Sequence, residues 1–224
     1  MPAPDAPAQP TIADYRAIVA YYETCLAQHG DSHAGVGWDE PADRTLARYQ
    51  VMLDLIRPHN TPVSLLDFGC GVAGLYDYIQ QQNLPGIEYA GLDLSSRFID
   101  LCSKKHPRLT WYTLDLLADP NALPPNDYLV MNGLFTVKLD IPFHAMFDYL
   151  TRLLTAAFAR TRQGLAFNLL PTYVDWQRDR MFHVPLDLLA DFLAKNLSRH
   201  FTIRNDYGLY EYTVYLYHQP SQGQ

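Results

Sequence analysis

The stretch Leu65-Leu66-Asp67-Phe68-Gly69-Cys70-Gly71-Val72-Ala73-Gly74 decides the fold. Its first half, with Val63 just upstream, is a short apolar run of strand length, as expected for a strand covered on both faces. The run stops at Gly69, and a helical pattern over 74–81 starts at the third glycine. A strand that ends in Gly-x-Gly-x-x-Gly and opens a helix fits the first crossover of a doubly wound α/β sheet. Gly69 and Gly71 let the backbone turn sharply and approach a ligand closely. Gly74 lets the helix lie close on the strand. The spacing alone serves a nucleotide-binding turn and a plain tight turn alike.

The flanking sequence continues the pattern. Apolar runs over 63–68, 87–92, 109–114, 128–131 and 164–169 read as strands. Helical patterns fall over 74–81 and 95–105, from about Pro142 onward, and around Leu186 to Leu197. Strands alternating with helices through short links imply a parallel sheet with helices on both faces. The tail alternates over 201–207 and 212–217 around Gly208, which reads as a closely joined antiparallel pair. Upstream, a helix over 15–26 and a second one opened by Pro41 flank a loop with Gly30, Gly35 and Gly37. Asp39 and Glu40 are capping candidates for that second helix. The expected architecture is therefore an α/β domain over 61–224 with a helical N-terminal extension or lid over 13–60. Its sheet has seven strands, mostly parallel, ending in an antiparallel C-terminal hairpin. A Pro/Ala-rich leader over 1–12 is expected to be disordered.

Composition narrows the function classes. The 224 residues are 48% hydrophobic and 18% charged, values of a globular chain. A net charge of −7 disfavours broad electrostatic binding to nucleic acid or anionic lipid. Cys25, Cys70 and Cys102 have no paired or metal-ligand spacing, which fits a reducing cytoplasm and no metal centre. The first ten residues lack the basic start and apolar core of a signal peptide, and no apolar run is long enough to span a bilayer. A cytoplasmic monomer or homodimer acting on a small molecule, without nucleic-acid or membrane partners, is the expectation.

Two carboxylates decide between ligands for the glycine turn. Asp93 ends the second strand, where it can accept hydrogen bonds from two ribose hydroxyls. Asp67 sits two residues before Gly69; it would repel a pyrophosphate but tolerates an ammonium and a sulfonium. The short chain also lacks the separate substrate domain that a dehydrogenase usually needs. The run Leu66-Asp67-Phe68-Gly69-Cys70-Gly71, followed by Gly91-Leu92-Asp93-Leu94-Ser95, resembles motifs I and II of the class I S-adenosylmethionine-dependent methyltransferases. The likeness is topological from Val63 to the C-terminus and motif-specific to about Phe135.

That resemblance implies a Rossmann-like fold with S-adenosylmethionine as cofactor. Gly69, Cys70 and Gly71 would surround its methionine part, between Asp67 and Gly74, with Asp93 on the ribose and Leu94 against the adenine. Asp115 would accept from the adenine amino group, and the Leu116 backbone would read the ring; read from the residues alone, Asp115 serves equally as a helix cap. Asn132 and Gly133 would lie under the transferring methyl. Their segment departs from the Asn/Asp-Pro-Pro-Tyr/Phe motif, which argues against a DNA-adenine or protein-glutamine acceptor.

The acceptor is expected past the carboxyl ends of the strands. Phe135, Asn168 and Tyr173 are candidate substrate contacts, and His33, Asp175 and His183 candidate bases. Trp38 closes over the cofactor or packs in the core; Arg48 holds the cofactor carboxylate or lies on a solvated helix face. Tyr15, Tyr21 and Tyr22 read as packing residues. The leading reading is in-line methyl transfer to a hydroxyl oxygen of a small polar metabolite, such as a sugar or glycan precursor. N-methylation of a small amine, a cofactor-binding module without chemistry, and an NAD(P)-dependent reductase are the competitors.

Overall fold

The computed structural model describes residues 12–38 and 41–221. The leader expected over 1–12 therefore lies outside the described residues except at Ile12, as do both capping candidates, Asp39 and Glu40. Seven strands form one sheet: β1 Val63–Phe68, β2 Ile87–Asp93, β3 Thr110–Thr113, β4 Asn126–Met131, β5 Thr161–Leu169, β6 Phe201–Arg204 and β7 Tyr212–Tyr217. Their order is β3-β2-β1-β4-β5-β7-β6. The first five pair in parallel, and β7 sits between β5 and β6, antiparallel to both. The chain winds outward from β1 in one direction to β3, then returns to add β4 and β5 on the other side. The reversal beside β1 opens a crevice at the carboxyl ends of β1 and β4.

Helices α1 Ile12–His29, α2 Ala42–Leu53, α3 Gly74–Gln81, α4 Ser96–Lys105, α5 Phe143–Phe158 and α6 Leu186–Asn196 complete the described residues, with a short 3-10 turn at Ala34–Val36. Strand β1 shows why both sheet faces must be covered. Leu66 and Phe68 enter one core cluster with α5, α6 and Tyr15 and Ile18 of α1; Val63 and Leu65 enter a second with α2 and α3. Alternate residues of one strand feed two cores, which is why the run is apolar without alternation.

Helix α2 is anchored through its last backbone groups. Tyr215 Oη donates to Val51 O at 2.6 Å and Tyr217 Oη to Leu55 O at 2.9 Å, while Arg57 N–H donates to Tyr128 Oη at 3.2 Å. Sheet tyrosines thus satisfy carbonyls that the end of a helix leaves open. This fixes α2 over α3, where the Tyr49 hydroxyl rests on Gly74. A Cβ added at Gly74 would come 2.1 Å from that oxygen.

Gly74→Ala is therefore expected to destabilise the chain by about 1–3 kcal/mol, the usual cost of overpacking. Adding Tyr49→Phe should recover most of the loss. Urea denaturation of the single and double variants measures both; a Gly74→Ala chain as stable as wild type contradicts the contact.

Candidate functional site

The turn after β1 is held by hydrogen bonds to the end of β2. Gly69 N–H and Cys70 N–H both donate to Leu92 O, at 2.7 and 3.0 Å. Gly71 N–H donates to Asp93 Oδ2 at 3.1 Å, and Ser95 N–H to Asp93 Oδ1 at 2.9 Å. One carboxylate therefore ties the glycine turn to the start of the next helix. Gly69 and Gly71 adopt φ of 80° and 51°, and Ala73, without a glycine's freedom, is held at 62°. A non-glycine residue in that region is strained, and such strain gathers at ligand-binding turns.

Above this turn lies a cavity of roughly 1000 Å3, its mouth included. Its floor comprises Asp67, Gly69, Cys70, Gly71 and Gly74 from the turn, Asp93 and Leu94 from the end of β2, and Asn132 and Gly133 from the end of β4. Trp38 closes one side, its ring lying where a Cβ on Gly133 would come within 2.9 Å. Over the top lie Tyr15, Ile18, Val19 and Tyr22 of α1. Their spacing of three, four and seven residues is one helical face. That face covers the crevice and also packs in the core, where Tyr15 stacks on Tyr149, in line with the reading of Tyr15 and Tyr22 as packing residues.

The cavity is acidic. No lysine or arginine among the described residues lines it, whereas Asp67 and Asp93 both do. Burial pushes the Asp67 carboxyl up to about 7, against the stabilising 2.7 Å hydrogen bond from Tyr89 Oη. Burial also raises Asp93 to about 6, with the Ser95 and Gly71 N–H groups opposing it. Desolvation of this size disfavours the charged forms until a cation arrives. The hydroxyls of the lid stay protonated: burial holds Tyr15 and Tyr22 near 12. Asn132 Nδ2 is buried and has no acceptor among the described residues, a donor available to a ligand.

Several sequence candidates sit elsewhere. Asp115 accepts from Tyr15 Oη at 2.6 Å and from Leu117 N–H at 3.0 Å, so its carboxylate caps the following turn and anchors α1 instead of lining the cavity. The Phe135 side chain is buried in the core, edge-on against Tyr149 and Phe167, instead of facing a substrate; the Leu116 side chain is buried too, which leaves its expected backbone role untouched. Arg48 lies over the Trp38 ring and pairs with Glu211 at 2.9 Å, outside the cavity lining. Asn168 is fully buried, so it forms part of the support and not of a substrate-facing wall. His33 packs edge-on against Tyr49 and lines neither cavity, and Tyr173 stands in solvent.

Asn168 and Arg48 prove to be linked through Glu211, a residue that sequence reasoning missed. Glu211 is 3% exposed and accepts from Arg48 Nε at 2.9 Å and from Asn168 Nδ2 at 3.1 Å. Asn168 Oδ1 in turn accepts Gly133 N–H at 2.7 Å. This buried chain runs from α2 through β5 and fixes the turn at the end of β4. Satisfied buried networks of this kind hold one geometry firmly.

A second cavity opens one strand over, past β5. Leu170, Val174, Asp175, Trp176, Arg178, Met181, His183 and Tyr210 line it. Strands β4 and β5 are paired, and Asn132 and Asn168 approach to 3.4 Å at their ends, so the two cavities occupy neighbouring positions on the sheet edge. His183 Nδ1 lies 2.8 Å from Pro171 O, a carbonyl that can only accept. The proton is therefore on Nδ1, and Nε2 carries the lone pair. Its one polar neighbour is the Arg178 N–H at 3.5 Å.

Comparisons with known proteins agree with this arrangement. Residues 66–157 match the family described as a methyltransferase domain. The Mycobacterium tuberculosis (strain ATCC 25618 / H37Rv) protein named "Putative methyltransferase Rv1506c" is 28% identical over 158 residues, covering 68% of this chain and 92% of that protein. Among solved structures, the plantazolicin methyltransferase BpumL with a pentazolic desmethylPZN analog and SAH aligns with a TM-score of 0.62 at 16% identity, over 90% of this chain and 95% of that one. The Burkholderia thailandensis 1,6-didemethyltoxoflavin-N1-methyltransferase, solved with its substrate and S-adenosylhomocysteine, gives 0.57 at 16% identity over 96% and 92%. The Synechocystis PCC 6803 magnesium protoporphyrin IX methyltransferase with SAH gives 0.53 at 13% over 96% and 90%. At these identities the structural likeness is one of fold.

The buried Asp67 makes stability depend on pH in an uncommon direction. Its folded-state value of about 7 lies above the ordinary 3.8, so its contribution is fully present below 3.8 and is lost as pH rises through 7. Asp67→Asn keeps an acceptor for Tyr89 and removes that loss. The variant is expected to match wild type near pH 4 and to exceed it by roughly 2–4 kcal/mol at pH 8, both without ligand. Thermal unfolding across that range measures the gap; one that closes as pH rises contradicts the burial of this charge.

Proposed function

We propose that this chain, which carries a methyltransferase domain over residues 66–157, acts as a class I S-adenosylmethionine-dependent methyltransferase on a hydroxyl oxygen of a small polar metabolite, with His183 as the base. The observation that supports the oxygen reading is the His183 geometry in the cavity beside β5: Nδ1 lies 2.8 Å from Pro171 O, so Nε2 is the accepting nitrogen, and its long 3.5 Å contact from the Arg178 N–H is one that an acceptor hydroxyl would displace. A hydroxyl acceptor needs its proton removed as it attacks, and an imidazole suits that task.

The first cavity fits the cofactor by the chemistry of its walls. S-adenosylmethionine supplies a methyl group on a sulfonium and carries an ammonium, so it suits a pocket with two carboxylates and no lining cation. A dinucleotide diphosphate would meet the same carboxylates as repulsion. Gly69 and Gly71, whose N–H groups are spent on Leu92 O and Asp93, offer the methionine part a wall without side chains of their own, and Asp67 faces its positive charge. Asp93 receives the ribose hydroxyls while it keeps the Gly71 and Ser95 N–H groups. Leu94 offers an apolar surface to the adenine. Asn132 and Gly133, held from below by Asn168, form the platform facing the acceptor.

What the chain contributes to the reaction is mainly placement. The sulfonium is already a good leaving group, so alignment of acceptor and methyl supplies much of the acceleration. The buried Arg48–Glu211–Asn168 chain keeps the platform in register with the groove past β5. Asp175 lines that groove with His183 and can take a further hydroxyl of the acceptor. His33, which lines neither cavity, has no part in this scheme.

Two measurements test the proposal. Asp93→Asn should weaken S-adenosylhomocysteine binding by about 1–3 kcal/mol in calorimetry, since one carboxylate oxygen no longer accepts; unchanged affinity contradicts the ribose role. Labelled-methyl transfer into a panel of hydroxylated metabolites should yield methyl ethers. In that assay His183→Asn is expected to lower kcat by about 10²–10⁴ with S-adenosylhomocysteine affinity unchanged. Methylamines as the sole products, or a fully active His183→Asn chain, would overturn the oxygen assignment.

A further inference from the structure

The groove past β5 has an unusual wall, and we infer that it takes the acceptor as a flat aromatic ring bearing the hydroxyl, stacked on Trp176 and Tyr210. This rests on the reading of hydroxyl methylation with His183 as base. The large apolar side chains most exposed among the described residues are Tyr173 at 82%, Tyr210 at 65% and Trp176 at 64%; the others, Leu188, Phe143 and Leu46, reach only 38–40%. Two of the three, Trp176 and Tyr210, line the groove from two different segments, one after β5 and one before β7; Tyr173 precedes Trp176 in the first and is outside the lining.

Elsewhere in this chain aromatic rings are engaged. Tyr128, Tyr215 and Tyr217 are buried and hydrogen-bonded, and Tyr15 stacks on Tyr149. Neither Trp176 nor Tyr210 has a ring contact among the described residues. Two exposed rings that line one cavity without a ring partner are suited to a third ring, since offset aromatic stacking adds to the area buried. Asp175 and Arg178, also in the lining, leave polar groups for the ring's edge.

The base points the same way. His183 Nδ1–H is held by the neutral carbonyl of Pro171, which fixes the ring with Nε2 as its accepting nitrogen. An imidazole takes a proton most readily from an acidic hydroxyl. A phenolic hydroxyl ionises near 10, as in tyrosine, within reach of an imidazole, whereas a sugar hydroxyl is far less acidic. The ring hydroxyl oxygen forms its bond to the methyl carbon as the carbon–sulfur bond breaks, the electron pair stays on sulfur, and the proton passes to His183 Nε2. The products are an aryl methyl ether, S-adenosylhomocysteine and an imidazolium that returns its proton to water.

The probe is 7-hydroxycoumarin, followed by fluorescence anisotropy with the full chain saturated in S-adenosylhomocysteine, beside methyl β-glucopyranoside followed by calorimetry. The coumarin is expected to bind and the glucoside not. Trp176→Ala and Tyr210→Ala should each weaken coumarin binding tenfold or more, while Trp176→Phe retains it and S-adenosylhomocysteine affinity stays unchanged in all three. Coumarin that binds in this way but is not methylated supports the groove and removes the hydroxyl reading instead. A glucoside that binds and is methylated while the coumarin does not bind overturns the aromatic class and leaves the hydroxyl reading standing. Coumarin affinity unaffected by either alanine variant overturns the inference. So does a wild-type dimer that Trp176→Ala dissociates in light scattering, because those rings then serve a second copy of the chain.

Discussion

One carboxylate holds the site together. Asp93 sits where the first two parallel strands end, and its oxygens take the N–H of Gly71 on one side and of Ser95 on the other. A turn that must leave its peptide groups bare on the ligand side still has to satisfy its buried donors elsewhere. Leu92 O takes two of them and Asp93 the third. The cost is a carboxylate drawn out of water, visible in its raised value of about 6 and in that of Asp67 at about 7. Two desolvated carboxylates without a lining cation make a pocket that a positively charged ligand completes. Helix α1 and the turn at Asn132-Gly133 border the same pocket.

The platform is secured by a different device. Gly133 donates to Asn168, Asn168 to Glu211, and Glu211 also receives Arg48. A buried ion pair contributes little net stability compared with apolar packing, but it fixes geometry, because either partner left alone would be an uncompensated charge. Here it joins α2, which belongs to the N-terminal extension, to the ends of β4 and β5. The extension is thus bound into the domain at its second helix, while its first helix roofs the pocket through Tyr15 and Glu23, which meet Asp115 and Ser95.

Much of this was legible in the residues. The unbroken apolar run of β1, the glycines after it and the acid at the end of β2 announced both the sheet and the pocket, because each is a local pattern with one physical cause. Other features were hidden because they depend on distant pairing. Nothing in the tail tells that β7 inserts between β5 and β6, so Glu211, just before β7, could not be placed beside Arg48. Phe135, a candidate substrate contact just past the end of β4, turns into the core, since strand ends do not reveal which way the chain bends. The lid was readable in principle: Tyr15, Ile18, Val19 and Tyr22 share a helical face, and an apolar face with two tyrosines can roof a ligand as well as fill a core.

The central claim is that the turn between Gly69 and Gly71, with Asp93 beside it, receives the cofactor. A crystal structure of the chain grown with S-adenosylhomocysteine tests it most directly. The ribose hydroxyls should lie within hydrogen-bond distance of Asp93 and the sulfur above the Asn132-Gly133 turn, with Tyr15 and Tyr22 covering the ligand. A ligand bound elsewhere, with Leu134 still against Gly69 and Val36 against Gly71, would contradict it.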